Sequence, residues 1–546
     1  MQHWNSREEL VKIVKRLVGV PSISGTVREN DMADEIIRIA YEIPYFQKHS
    51  ENIFSKEIDE DPLNRRAVAA LYRGNPDISK TVVLLSHYDV VGIEDYGHLK
   101  HLAFSPDEYT EILKKEALPI EVKEDLESGE WLFARGIMDM KAGLALHLGL
   151  LSEVSEKNVP VNLLLLSTPD EERNSEGMFA GVQLLVELQK KLGLDYELCI
   201  CSEPSFAAYP GDRSKYVYLG SVGKLLPLIF CVGKETHVGE PLEGVNASWM
   251  AASFTANMEL SDAFIEEVGS ERNPPPTCLK LEDLKELYNV QTPTSAYVLY
   301  NILTLKQTPK EILKKVKEIA IQSSEGIYQK MHRLYASSNP TKQLEDLKPM
   351  VFTYSELYEK GIERYGETFK SEVEEIFNKE TSVDFDLRKL TVKLAQGISR
   401  YFTDLAPFYL IMLAPPYYPH VALEEISERD QKIRKITEDI VSFAEKNYGE
   451  KIKIQQYFIG LSDVSYCRLI DGDSIISTLS EEMPLYGRKY DLPLEQIKKL
   501  NIPTINLGPY GKDAHKRTER LELSFSLETV PHLLKQLVNT VFEEVK

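Results

Sequence analysis

Apolar residues at Leu10, Ile13, Val14 and Leu17 recur at the spacing of one helix face, which predicts an amphipathic helix over residues 6–18, closed by the turn-forming stretch GVPSISG. A second helix is expected over 30–41. The texture then changes. The short runs AVAALY, TVVLLS, VNLLLLS and LDYELCICS are apolar at almost every position and alternate with helical patterns such as GLALHLGLLSEVSE and MFAGVQLLVELQKKLG. A strand without polar alternation is covered on both faces, so this order predicts an α/β layer around a mostly parallel sheet.

From about residue 222, strand, helix, strand and helix follow one another in KLLPLIFCVGK, NASWMAASFTANMEL, SAYVLYNILTL and PKEILKKVKEIAIQ, the pattern of a small α+β unit of split βαβ type. The runs FYLIMLAPP, KIKIQQYFIG and IPTINLG then read as strands of a returning α/β layer. The expected organisation is a catalytic domain over 1–221 and 351–546, interrupted by an inserted lid or dimerisation domain over 222–350, with 351–425 carrying no clear pattern. A chain of 546 residues has room for this, at about 150 residues per domain.

Composition narrows the function classes. Hydrophobic residues make up 43% and charged residues 27%, the balance of an ordinary globular protein. Lys and Arg total 64 against 85 Asp and Glu, and a net charge of −21 repels a phosphate backbone, so nucleic acid is not an expected partner. The basic stretches LKKVKE and DQKIRKIT alternate with apolar residues as solvated helix faces do. Cys199, Cys201, Cys231, Cys278 and Cys467 are odd in number and scattered, which suggests neither a disulfide framework nor a thiolate metal site, and a cytoplasmic location is expected. With no export signal and no run of 18 apolar residues, no membrane association is expected.

Candidate chemistry appears where the apolar runs stop. SHYDVVG carries His87 and Asp89, ARGIMDMKAG carries Asp139, STPDEERNSEG carries Asp170, Glu171 and Glu172, CSEPS carries Glu203, and GPYGKDAHKRTE carries His515. Singly, each reads as a polar turn or an acidic helix start. Together they are polar groups at strand ends, where open α/β sheets gather their functional residues. Two histidines and three carboxylates suit a pair of zinc-like ions, and a carboxylate bridging both would hold them roughly 3.5 to 4 Å apart. His87 and Asp89, two apart, share a strand face, as a ligand and its orienting carboxylate would. Glu171 and Glu172 are adjacent and do not both suit one ion, which leaves one of them free to act as a base.

The ordered series His-x-Asp, GxxDMKxG, DEE, EPS and GPxGxxxH resembles the dinuclear zinc amidohydrolases that include acetylornithine deacetylase, succinyl-diaminopimelate desuccinylase and glutamate carboxypeptidase. The long chain, with APPYYPH and GLSDVSY, looks most like the arginine-utilisation branch of that family. The resemblance covers most of the chain. It implies that His87, Asp139 and Glu203 hold one zinc and that Asp139, Glu172 and His515 hold the other, with Asp139 as the bridge. Asp89 would orient His87, Glu171 would be the general base, and the peptide between Asp139 and Met140 would be cis.

GKETHVGEPLEGVNA resembles the family's lid motif, which implies that His237 stabilises a tetrahedral oxyanion, in many members from the neighbouring subunit of a homodimer. The family's lid strand commonly carries Asp-x-Arg, whereas the matching YNILTL has Asn301 and no arginine. Between Asp89 and Asp139 an unusually long loop adds His98 and His101, read as surface histidines. The expected activity is cleavage of an amide bond in a peptide or N-acyl amino acid, using two divalent ions, zinc first and cobalt or manganese as alternatives. A narrower deacylase of arginine catabolism and a non-catalytic binding protein on the same scaffold remain the alternatives.

Overall fold

A computed structural model describes residues 4, 6–205, 207, 211–338, 344, 347–379 and 386–543. The chain divides into two compact units, one of Met1–Ser221, Val421–Ile470 and Pro493–Lys546, the other of Val222–His420 and Asp471–Leu492.

The first unit is built on an eight-stranded sheet in the order Ile53–Glu57, Arg66–Arg73, Asn162–Thr168, Lys80–His87, Asp195–Cys201, Thr504–Asn506, Lys215–Tyr218 and Ile452–Gln455. Its central strands, from Asn162–Thr168 through Thr504–Asn506, are parallel. The flanks mix directions: Ile53–Glu57 and Arg66–Arg73 pair antiparallel, as do Arg66–Arg73 with Asn162–Thr168 and Thr504–Asn506 with Lys215–Tyr218. The sheet is therefore mixed, with a parallel centre.

Alternate strand residues serve opposite faces. Val82, Leu84, Leu163 and Leu165 share one core with Leu10 and Val14 of the Arg7–Val18 helix and with Leu144 and Leu148 of Ala142–Glu156. That last helix is apolar all round and buried along nearly its whole length, as a helix under a sheet must be. The Glu176–Leu192 helix packs on Arg66–Arg73 and Asn162–Thr168. A fully buried leucine in such a core contributes about 1.5 to 3 kcal/mol. A separate three-stranded sheet joins Gly511–Lys512, Arg520–Glu522 and Trp131–Phe133.

In the second unit a five-stranded sheet runs in the order Thr277–Asp283, Ser295–Thr304, Gly223–Val232, Phe408–Tyr418, Met350–Thr353. Strand Gly223–Val232, helix Ala247–Met258, strand Ser295–Thr304 and helix Pro309–Ser338 are the four elements expected of the insertion. The unit continues past residue 350 to His420, because Met350–Thr353 and Phe408–Tyr418 complete its sheet. FYLIMLAPP is thus a strand of this unit and not of the returning α/β layer. Every residue of Phe408–Tyr418 is buried, so its apolar pattern reports a central strand but does not say in which sheet. The long helices Tyr354–Lys379 and Leu387–Ser399 occupy the stretch that carried no clear pattern.

The loop expected between Asp89 and Asp139 is instead helical, with turns at Glu94–Leu102, Pro106–Leu113 and Ile120–Ser128. Tyr96, Leu99, Tyr109, Leu113, Val122, Leu126 and Phe133 give it a core of its own. Among the described residues no helix is long and apolar enough to cross a membrane.

Candidate metal centre

Parallel pairing brings the carboxyl ends of the central strands together. His87 ends Lys80–His87 in register with Thr168, and Leu85 pairs with Cys201, two residues before Glu203. Asp139 follows the short strand Trp131–Phe133, and its peptide bond to Met140 is cis. Glycine is required four residues later, since a Cβ on Gly143 would lie 2.2 Å from the Ser202 carbonyl oxygen. The close approach sets the start of the Ala142–Glu156 helix against the Glu203 segment.

The two oxygens of Asp139 face different histidines. Oδ1 lies 3.2 Å from His87 Nε2 and Oδ2 lies 3.2 Å from His515 Nε2. Glu203 Oε1 is 3.8 Å and Glu171 Oε2 3.9 Å from His87 Nε2, while Glu172 Oε1 is 3.0 Å from His515 Nε2. Ligand atoms of His87, Asp139 and Glu203 fall within 4.8 Å of one another, as do those of Asp139, Glu172 and His515, and those of His87, Glu171 and Glu172.

Asp89 is fully buried and holds the DEE turn. Its Oδ1 accepts the Glu171 N–H at 3.1 Å, and its Oδ2 accepts the Glu172 N–H at 3.2 Å and the Ser24 hydroxyl at 2.6 Å. His87 Nδ1 is 3.1 Å from the Asp89 main-chain oxygen and 3.4 Å from its carboxylate, so the backbone carbonyl is the nearer acceptor for that ring N–H. Asp170, at φ 68, turns the chain and accepts three following N–H groups on its carbonyl. Buried Arg65 donates to its carboxylate at 2.5 Å, and buried Glu29 accepts its N–H at 3.0 Å.

Other supporting residues lie inside the quoted motifs without having been assigned a role there. Arg135 and Glu519, both about 1% exposed, form a 2.9 Å ion pair. Glu519 accepts the Met138 N–H at 3.3 Å, and Arg135 reaches the His515 carbonyl at 3.4 Å and the Gly92 carbonyl at 3.1 Å. In GLSDVSY, the Ser462 hydroxyl donates to Glu203 Oε1 at 3.3 Å, and Asp463 accepts the Thr168 hydroxyl at 2.7 Å.

Burial would lower the His87 imidazole, yet the Glu203 charge and hydrogen bonds with Asp139 and Asp89 hold it well above its usual range. Hydrogen bonds with Asp139 and Glu172 push His515 up to about 11. Burial and neighbouring carboxylates raise Glu171 and Glu203. Asp139 resists its own burial, because both histidines hold it well below the usual carboxylate range. Five carboxylates, those of Asp89, Asp139, Glu171, Glu172 and Glu203, thus crowd two imidazoles. Buried charge of this kind persists when paired or bound to metal, and imidazole nitrogen with carboxylate oxygen is the donor set of a zinc-like ion. The residues fit two divalent ions.

All the expected site residues of the first unit therefore lie together. His237 belongs to the second unit, on an exposed turn where its Nδ1 accepts the Gly239 N–H at 3.0 Å. His98 and His101 are exposed on the helical segment, His98 lying 3.6 Å from Glu116.

The sequence matches the model of peptidase family M20/M25/M40 over residues 83–467, a span that holds His87, Asp139, Glu171, Glu172 and Glu203. It is 38% identical over 551 residues to YqjN of Bacillus subtilis (strain 168), covering 99% of this chain and 98% of that one. RocB of the same organism is 31% identical over 542 residues, covering 98% and 95%. The solved structure of the Bacillus subtilis YXEP protein, described as a dinuclear metal binding peptidase, shares the fold with a TM-score of 0.51 at 10% identity over 98% of each chain. A match over more than half the chain, through five residues of one strand-end cluster, and likeness to two Bacillus proteins along nearly their whole length make this chain a member of peptidase family M20/M25/M40.

Proposed function

We propose that the chain is a metal-dependent hydrolase that cleaves an amide bond of a peptide or N-acyl amino acid. His87, Asp139 and Glu203 hold one ion and Asp139, Glu172 and His515 the other, zinc being the first choice. The observation that carries this reading is the divided carboxylate of Asp139, one oxygen facing each histidine. When bound, two divalent ions supply Lewis acidity to a carbonyl and acidify a water.

The chain's own residues do the rest. Glu171 belongs to neither trio that Asp139 joins, so its Oε2 is the group that takes a proton from water and returns it to the leaving nitrogen. Asp89 fixes the peptide groups of Glu171 and Glu172, and so positions base and ligand together. His237 accepts a hydrogen bond at Nδ1, which places the proton of a neutral ring on Nε2, the donor an oxyanion needs. Contribution of that donor across a homodimer is supported by the exposed edge strand Thr277–Asp283, which presents Leu279 and Leu281 to solvent. The five free cysteines suit a reducing cytoplasm.

The resemblance of APPYYPH and GLSDVSY to the arginine-utilisation branch favours a second, narrower reading, a deacylase in arginine catabolism. A screen of dipeptides and N-acyl amino acids with zinc, cobalt and manganese separates the two. Turnover of N-acyl arginine-pathway compounds alone selects the narrower reading, and turnover of phosphodiesters but no amide overturns both.

A further inference from the structure

His515 occupies the least regular part of the centre. It sits on the hairpin loop between Gly511–Lys512 and Arg520–Glu522, its side chain is 49% exposed, and both Asp513 and His515 have positive φ, 59 and 63. Two strands this short do not hold a loop by themselves, and non-glycine residues in the left-handed region persist only where surrounding structure fixes them. Part of the fixing is internal, since the Asp513 carboxylate accepts from Arg520 Nη1 at 2.5 Å and from Thr518 Oγ1 at 2.9 Å.

Further fixing comes from the helical segment between Asp89 and Asp139, and each of its three turns contributes at least one group. Asp95, on Glu94–Leu102, accepts from Arg135 Nη2 at 2.8 Å, the same nitrogen that reaches the His515 carbonyl. Tyr109, on Pro106–Leu113, donates its hydroxyl to the Arg517 carbonyl at 2.6 Å. Asp125, on Ile120–Ser128, accepts from Arg520 Nε at 2.8 Å and Lys512 Nζ at 2.9 Å. These are not three loose surface contacts. Tyr109 is fully buried, its ring lies 4.9 Å from that of Tyr96, and the segment's core includes Phe133 of the strand that pairs with Arg520–Glu522.

We propose that residues 94–128 are a positioning device for His515, with Tyr109 and Asp125 as positioning residues that set the affinity of the second metal ion. This rests on the reading of His515 as a ligand. Groups that orient a metal-binding imidazole typically change metal affinity about 10- to 100-fold when removed. Because the ties of Tyr109 and Asp125 reach the loop that carries His515 and not His87, the effect of removing them falls on one ion only.

The test uses Tyr109→Phe, which removes the hydroxyl, and Asp125→Asn, which removes the charge and one acceptor oxygen, in the full chain and without opening the segment's core. Amide hydrogen exchange of residues 514–518 is measured in metal-free protein, and cobalt(II) is titrated with visible absorption as the readout. Exchange is expected to quicken roughly tenfold in each variant. The second cobalt equivalent should bind about 10- to 100-fold more weakly with the first unchanged. Wild-type exchange in both variants overturns the positioning role. Faster exchange, or a lowered melting temperature, with both cobalt affinities unchanged shows a structural tie only and overturns the link to the ion. If the unsubstituted protein takes up fewer than two ions while exchange responds, the ligand reading has failed, and the link to a second ion falls with it.

Discussion

The two halves of the centre are held by different means. His87 and Glu203 stand at the ends of neighbouring parallel strands, 1% and 5% exposed, and inherit their places from a hydrogen-bonded ladder several residues long. Glu172 and His515 stand on a turn and a hairpin loop, and are placed by individual ties: Asp89 to the Glu172 amide, Arg135 to the His515 carbonyl, Tyr109 to Arg517. A strand end needs little help because the sheet has already ordered it. A loop loses more conformational freedom on ordering, and side chains from distant segments must offset that loss.

Asp139 joins the halves, so its loss should have the largest effect. Asp139→Ala is expected to abolish retention of both ions and all turnover, whereas His87→Ala and His515→Ala each forfeit one ion; metal content after dialysis checks this. Two ions retained by Asp139→Ala at wild-type affinity would mean that the halves share no ligand. Glu171→Gln should keep both ions and KM while kcat falls about 10²- to 10⁴-fold, since proton transfer is lost and no ligand is removed. A near-normal kcat dismisses Glu171 as the base.

Arg135→Met leaves Glu519 buried without its cation, and urea unfolding of the metal-free protein should show a loss of about 3 to 5 kcal/mol. A loss under about 1 kcal/mol would show that the pair is not what secures the segments of Asp139 and His515. The smallest effect is the most selective. Ser462→Ala removes the hydroxyl that Glu203 accepts and should weaken only the His87-side ion, by about tenfold, the reverse of the pattern expected for Tyr109→Phe. Equal weakening of both ions would erase the distinction between the halves.

The strand-end half was legible because burial on both faces leaves unbroken apolar runs, and the polar residue that ends such a run, as His87 ends TVVLLSH, stands out. Sheet direction was less so. Residues 58–65 are too few for a parallel crossover, which needs a dozen or more, so the antiparallel pairing of Ile53–Glu57 with Arg66–Arg73 was available from spacing alone. Helical pairs at i, i+4 are also present in the segment between Asp89 and Asp139, in Tyr109 with Leu113 and Val122 with Leu126. Arg135 and Glu519 lie within ARGIMDMKAG and GPYGKDAHKRTE, but their pairing was not legible. They pair across 384 residues, and a charged side chain gives no local sign that its partner will bury it. FYLIMLAPP showed its burial but not its neighbours, which only the topology supplies.

Asp89 grips the peptide groups of Glu171 and Glu172, not their side chains, and this separates what holds the turn from what the turn carries. Any residue but proline at 171 and 172 still offers its amide N–H to the same two oxygens, so a library randomised there samples new chemistry on a constant frame. A library randomised at 89 samples broken frames, with base and ligand displaced together. Substitutions at the two glutamates therefore change the chemistry while leaving the turn in place, whereas substitutions at Asp89, with Ser24 behind it, disturb the turn itself.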